Sequence, residues 1–324
     1  RARHGEEAVL GMRTAFGGCL PCLLAPVAES GRQPERPHRS RIRPDVVAML
    51  VERRKGRPVG ELGAPLLFDL QDIRPSEVAL IVIDMQEGFL QELPASRAIV
   101  PQINRTASAV RETGGLVVWI TSDVGPDALV NWSVMYDNFF GEHQAEVKRK
   151  IRAGGIDFGT KYDPFRAAHG MDGPLGRDMD LQARDWVVKK DRFSAFCPGG
   201  RHQGRGPQEP PPASALAPKL QAAGVCTLLL VGCATNGCCE ASARDAMQQN
   251  FQVVMLADAC AARTDADHNA TLNNCVQFFG DVMLVEEAIG ALRKAAERRP
   301  GALGSEEQAG KQANGQVHAL AVML

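Results

Sequence analysis

The sequence predicts an α/β protein built on a doubly wound, mainly parallel six-stranded sheet with helices on both faces. Three observations lead there. Short runs of branched apolar residues alternate with stretches of helical composition from Val78 onward. The best of these runs, Cys226 to Val231, is apolar throughout rather than alternating, as a strand buried on both faces requires. And 324 residues, 44% of them hydrophobic, can bury a full core.

Residues 1–40 are rich in Arg, Pro, Gly and Ser without periodicity and read as a disordered or removable leader. Pro44 to Gly56 has helical spacing, with Pro44 suited to a first turn. Ala79 to Asp84 reads as the first strand, Ser96 to Gly115 as a helix closing on glycine, and Leu116 to Thr121 as the second strand. Asp185 to Lys190 is a third strand. Helix and strand then alternate through Ala215–Gly224, Cys226–Val231, Glu240–Asn250, Phe251–Asp258, Asp267–Gly280, Asp281–Val285 and Glu286–Glu297. This is one domain, residues 41–298, followed by a flexible tail, 299–324; no internal repeat is present.

Two segments break the rhythm. Ser122 to Arg184 is too long for a simple crossover and holds Trp132, Tyr136, Phe139 and Phe140, a cluster suited to a lid or pocket wall, or else to packing of an irregular subdomain. Gly199 to Pro212 is poor in apolar residues and reads as a surface loop.

A formal net charge of −1 gives no reason to expect nucleic acid or a membrane surface as partner. No apolar run reaches the roughly 18–20 residues of a membrane span. Nine cysteines is an odd count, and Cys226, Cys233, Cys260 and Cys275 sit in or beside apolar elements, which suits reduced thiols in a cytoplasmic protein. A start at Met12 would put an apolar stretch, interrupted by Pro21, where a short targeting segment lies; a removable leader is the simpler expectation. Cys19 and Cys22 form a CxxC without the βαβ surroundings of a redox motif.

Ligands of doubly wound sheets bind beyond the carboxyl ends of the strands. Three reactive side chains end three strands here: Asp84, Lys190 and, after a small-residue turn, Cys238. Cys238 is placed where strand, turn and helix meet, and a helix N-terminus favours a thiolate. Asp84 is suited to take and return a proton, and Lys190 to hold Asp84 and offset developing negative charge.

The chain resembles the isochorismatase-like cysteine hydrolases. Asp84-Met85-Gln86 matches that family's DMQ signature; Lys190 to Phe196 is similar to its K-x-R-[YF]-S-A-F segment; Gly232 to Asp245 is similar to its G-x-x-T-N-x-C-[VC]-E-[SA]-[ST]-A-R-D signature. The resemblance implies a triad of Asp84, Lys190 and Cys238 that hydrolyses a small amide or ureido (carbamoyl) compound through a thioester. It implies a cis peptide between Cys233 and Ala234, aiming the N–H groups of Ala234 and Cys238 at an oxyanion. It also implies a homo-oligomer. The ureidoacrylate-type amidohydrolases are the nearest branch by eye. Isochorismatases proper cleave a vinyl ether and lack the cysteine, so Cys238 points away from them. Nicotinamidases bind metal through an Asp-x-His arrangement, whereas Asp123-Val124-Gly125 offers no His; no metal and no organic cofactor are expected.

Gln86, Phe89, Asn131, Trp132, Phe193 and Asn236 are the candidate substrate-binding residues, with capping of the Cys238 helix an alternative for Asn236. Cys239 is expected to pack and His268 to cap or support. Gly237 departs from the family's usual Val and is expected to loosen the turn before the nucleophile; Cys233 departs from a small or branched residue. Gly200 to Ala213 reads as an insertion, either genuine or an artefact of gene structure. A spoiled site would leave a non-catalytic binding or scaffold protein as the competing reading.

Overall fold

The structure is a computed structural model, and it describes residues 42, 74–122, 129, 132–138, 141–155, 175–176, 178–197 and 216–298. The leader, the Pro44–Gly56 helix, the Gly200–Ala213 insertion and the tail lie outside the described residues.

Six strands form one sheet: β1 (Val78–Ile83), β2 (Leu116–Ser122), β3 (Trp186–Lys190), β4 (Thr227–Cys233), β5 (Gln252–Ala261) and β6 (Asp281–Met283). Their order is β3-β2-β1-β4-β5-β6 and every pairing is parallel. The order reverses between β1 and β4, and a crevice opens at such a point beyond the strands' carboxyl ends.

Eight α-helices lie among the described residues: α1 (Glu87–Glu92), α2 (Pro94–Glu112), α3 (Ser133–Asn138), α4 (Gln144–Arg152), α5 (Leu216–Ala222), α6 (Glu240–Gln248), α7 (Asp265–Phe278) and α8 (Val285–Glu297). Strand alternation divides the core in two. Val78, Leu80 and Val82 of β1 pack with Ile99 and Ile103 of α2 and with Ile289 and Leu292 of α8. Ala79, Ile81 and Ile83 face the other way, with Leu220 of α5, Ala243 and Ala246 of α6, and Leu272 and Val276 of α7. Both faces of β1 are therefore apolar and covered, which is why its sequence runs unbroken from Val78 to Ile83.

A buried ionic anchor sets the start of β3. Arg111, near the end of α2, donates through Nε at 3.0 Å and Nη2 at 2.6 Å to Asp185, and through Nη1 at 2.7 Å to Asp180. Trp119 of β2 adds its indole N–H to Asp185 at 2.8 Å. Five residues of extended chain then carry the backbone from Trp186 to Lys190 at the opposite edge.

Gly232 lets β4 close on β1 at that edge. Its φ is 118°, and a Cβ there would lie 2.1 Å from the Ile83 carbonyl oxygen and 2.8 Å from the Ile83 nitrogen. Both penalties fall on backbone that cannot yield. Gly232→Ala is expected to destabilise the protein by about 2–4 kcal/mol in denaturant unfolding; a loss under about 0.5 kcal/mol would contradict the close approach.

Candidate active site

Four neighbouring strands each deliver one group to the same edge. Asp84 follows β1, one residue beyond the strand that the sequence reading ended on it. Its φ is 53°, a left-handed conformation that Asp tolerates better than most residues. Its N–H donates to the Ile120 carbonyl at 3.0 Å, and its own carbonyl accepts from the Cys233 thiol at 3.2 Å. The cysteine that departs from the family pattern thus holds the backbone of the candidate base.

Lys190, the last residue of β3, is buried with its Nζ 2.7 Å from Asp84 Oδ2. It donates to Ser122 Oγ at 2.9 Å and to the Arg192 carbonyl at 3.0 Å, and lies 3.4 Å from Cys238 Sγ. Ser122, at the end of β2, donates to Asp84 Oδ1 at 3.1 Å. Burial alone would lower the Lys190 ammonium, but Asp84 and Cys238 hold it above its ordinary value, so it stays charged.

The Cys233–Ala234 peptide is cis. After it, Thr235 to Cys239 form a π-helical turn that runs directly into α6. Neither turn nor helix begins with a side-chain cap, and Asn236 is exposed, so the cap expected of Asn236 is not formed. Thr235 is instead tied from below, its hydroxyl 2.9 Å from Nδ1 of buried His268. Burial draws the His268 pKa down to about 4, against Asp265 and the Ala257 backbone, which act to raise it; the ring is neutral at pH 7. The helix expected from Asp267 begins two residues earlier, at Asp265, capped by Thr264, whose hydroxyl accepts from the Asp267 N–H at 3.1 Å.

The helix terminus, expected to favour a thiolate at Cys238, is opposed by burial. Cys238 is 8% exposed, and burial pushes its thiol well above the ordinary value; Asp84 adds to the rise and Lys190 opposes it. Desolvation outweighs the helix terminus, so the thiol rests protonated. Cys239 lies fully buried in the core, as expected, its thiol raised by burial and by Cys260.

Gln86 is also fully buried, with both ends of its amide on the Ser122 backbone: Oε1 accepts from Ser122 N–H at 2.6 Å and Nε2 donates to the Ser122 carbonyl at 3.1 Å. Phe89, Trp132 and Phe193 are half-buried and pack with Tyr136, Val147 and Ile151 in a small apolar cluster. Trp132 meets the Phe193 ring edge-on at 5.0 Å, and the Arg192 guanidinium sits 5.1 Å above it. Burial raises the Tyr136 hydroxyl to about 12, while Arg192 and Lys190 act to lower it. Asn131, Phe139, Phe140 and the Asp123–Gly125 segment lie outside the described residues. Ser122, Tyr136 and Arg192 had no catalytic assignment in the sequence; for Ser122 the available signal was its place at a strand's carboxyl end, in register with Lys190.

Comparison with known proteins gives the chain's family. The family model described as an isochorismatase domain matches residues 78–287. The chain belongs to the isochorismatase family. It is 40% identical over 219 residues to maleamate amidohydrolase of Pseudomonas putida, covering 67% of this chain and 88% of that protein. It is 28% identical over 241 residues to ureidoacrylate amidohydrolase RutB of Variovorax paradoxus, covering 69% of this chain and 84% of that protein. A cysteine hydrolase structure from Pseudomonas syringae pv. phaseolicola superposes with a TM-score of 0.53 at 23% identity, over 71% of this chain and 98% of that one, and shares the fold.

Among the described residues, no group of three or more His, Cys, Asp or Glu is placed to hold a metal ion, and no helix is long and apolar enough to cross a membrane.

Two measurements probe the site. Alkylation of Cys238 by iodoacetamide should still be rising above pH ~9, past the ordinary thiol midpoint of about 8.5. Asp84→Asn removes a charge that raises the thiol and leaves Lys190, so its midpoint should fall; an unchanged or higher midpoint counts against this electrostatic account. A Cβ on Gly237 would meet only Ala234 Cβ, at 3.9 Å, and its N–H already closes the turn on the Ala234 carbonyl at 3.0 Å. Gly237→Ala should therefore stabilise the protein by about 0.5–1 kcal/mol with activity retained. Thermal unfolding that shows a loss instead would mean the turn needs glycine.

Proposed function

We propose that this protein is a cysteine-dependent amidohydrolase that cleaves the C–N bond of a small amide or ureido compound through a thioester. The observation that carries this reading is one buried cluster: Lys190 Nζ 2.7 Å from Asp84 Oδ2 and 3.4 Å from Cys238 Sγ. A thiol, a base and a fixed cation within contact distance are what nucleophilic acyl transfer requires. Both relatives above are named amidohydrolases, which supports the same reaction class.

In the proposed reaction Asp84 takes the Cys238 proton as Sγ attacks the carbonyl carbon. The C–S bond forms and the carbonyl π electrons move to oxygen. The N–H groups of Ala234 and Cys238 are assigned to that oxyanion; loss of one such donor typically costs about 3 kcal/mol of barrier. The intermediate collapses as Asp84 passes the proton to nitrogen, the C–N bond breaks, and ammonia or an amine leaves. Water then attacks the thioester, gives a proton to Asp84, and the sulfur departs and recovers it. Lys190 stays protonated throughout and offsets the negative charge.

Phe89, Trp132 and Phe193 are assigned to the pocket wall, with Asn131 and Asn236 as further binding candidates and Gln86 acting through Ser122. No metal and no organic cofactor enters this scheme. Cysteines buried in the core, among them Cys239 and Cys260, suit a reducing, cytoplasmic setting, and assembly as a homo-oligomer belongs to the same reading, measurable by light scattering. The clustering of the three side chains weighs against a scaffold protein, and the thiol against vinyl-ether cleavage.

A panel of carbamoyl, ureido and simple amide compounds, assayed for ammonia release, should yield a substrate for the unmodified protein. Cys238→Ala should lower kcat on it by at least ~10³-fold, and quenched mass spectrometry should find the acyl group on Cys238. Full turnover by Cys238→Ala would end the proposal.

A further inference from the structure

The link between base and cation runs partly through a residue outside the three family motifs. Ser122 Oγ lies 3.1 Å from Asp84 Oδ1 and 2.9 Å from Lys190 Nζ. An ammonium only donates and an ionised carboxylate only accepts, so the hydroxyl's orientation is determined: it accepts from Lys190 and donates to Oδ1. With Lys190 Nζ in an ion pair 2.7 Å from Oδ2, the three side chains close a ring in which each carboxylate oxygen has a neighbour of its own, the hydroxyl at Oδ1 and the ammonium at Oδ2. A carboxylate held at one oxygen can turn about its Cβ–Cγ bond. Held at both, it cannot. Ser122 is itself fixed by the two hydrogen bonds of Gln86, at 2.6 and 3.1 Å, from a side chain wholly out of solvent.

We propose that Ser122 is a positioning residue for the catalytic base: its hydroxyl fixes the orientation of the Asp84 carboxylate, and Gln86 fixes Ser122. The proposal rests on the assignment of Asp84 as base in a Cys238-dependent hydrolysis. The groups facing Asp84 are Lys190 from β3, the Cys238 thiol from the π-helical turn, Ser122 from β2, and the Cys233 thiol on the Asp84 carbonyl from β4. Arg192 lies one step away, its carbonyl on Lys190, and Tyr136 lies in the field of both cations. Ser122 bears no charge at any working pH, so removing its hydroxyl alters the base without changing the charge of the site. Losing a donor to the charged form raises a carboxylate's proton affinity.

The test compares Ser122→Ala and Ser122→Thr in the full chain. kcat and KM are followed against pH on a compound that the unmodified protein hydrolyses, and Cys238 alkylation by iodoacetamide is followed against pH without substrate. For Ser122→Ala the expected result is a kcat ~10–100-fold lower with KM within about threefold. The acid limb of kcat/KM should move up by about 0.5–1 pH unit, and the alkylation profile should be displaced. Ser122→Thr, which keeps the hydroxyl, should restore the acid limb and most of kcat. Unchanged profiles in the alanine variant overturn the proposal, as does equal loss in both variants with an unmoved acid limb. Should the alanine variant fail to fold, Ser122→Gly is read by the same criteria. If Cys238→Ala still turns over, the underlying assignment fails; if it is inactive while Ser122→Ala matches the unmodified protein, only the role of Ser122 fails. Where no compound is hydrolysed, the alkylation profiles decide: displacement supports the role and coincidence removes it.

Discussion

Everything at the candidate site depends on keeping one ion pair ionised inside the protein. The Asp84 and Lys190 side chains are 0% and 4% exposed and 2.7 Å apart. Withdrawing two such charges from water costs several kcal/mol each, and their attraction compensates only when the remaining donors and acceptors are also satisfied. The surroundings supply most of these. Lys190 donates to Ser122, the Arg192 carbonyl and the Cys238 sulfur, Asp84 Oδ1 receives the Ser122 hydroxyl, and Oδ2 is held by the ion pair itself. Removing any one partner leaves a buried charge underserved, which is why the cluster behaves as a unit rather than as separate contacts.

Strand order explains how one chain assembles such a unit. In β3-β2-β1-β4 the four carboxyl ends lie side by side, and they supply Lys190, Ser122, Asp84 and the turn that bears Cys238. Two local devices complete the alignment. Gly232 allows β4 to approach the Ile83 backbone more closely than any side chain would permit, and the Cys233 thiol ties the Asp84 carbonyl to β4. Far along the sheet, the Arg111–Asp185 anchor fixes where β3 begins and hence where Lys190 ends. The fold is thus coupled to the chemistry at both ends of its strands.

Much of this was legible in the sequence because burial on both faces writes a simple pattern. The six runs match six strands with ends shifted by at most three residues, and the two halves of the core follow from alternation along β1. Asp84, Lys190 and Cys238, which the structure brings together, were legible as candidates because their chemistry is unusual at strand ends. Ser122 was not, since a serine closing a strand looks like ordinary surface and its meaning arises only from Lys190 across the pairing. Gln86 read as a pocket residue because the motif marks it, whereas its amide is committed to the Ser122 peptide. The thiol's state failed for a different reason. Sequence showed a helix beginning near Cys238, but the degree of burial, which dominates the proton's free energy there, is a property of packing.

That protonated thiol gives the site a consistent electrostatic logic. Carboxylate, ammonium and thiol together sum to zero charge. A resident thiolate would bring the sum to −1 in a cluster largely shielded from water, where uncompensated charge is costly. In the proposed reaction, moving the proton from Cys238 to Asp84 keeps the sum at zero, because the carboxylate becomes neutral as the sulfur becomes anionic. Attack then transfers that negative charge to the substrate oxygen while Lys190 remains positive. Expulsion of the amine with the proton from Asp84 restores the starting ion pair. No step requires the buried cluster to take up or release net charge, and proton transfer is coupled to bond formation rather than preceding it. Deep burial and the proposed nucleophilic chemistry are compatible because the assigned base, Asp84, is half of the ion pair that the fold already maintains.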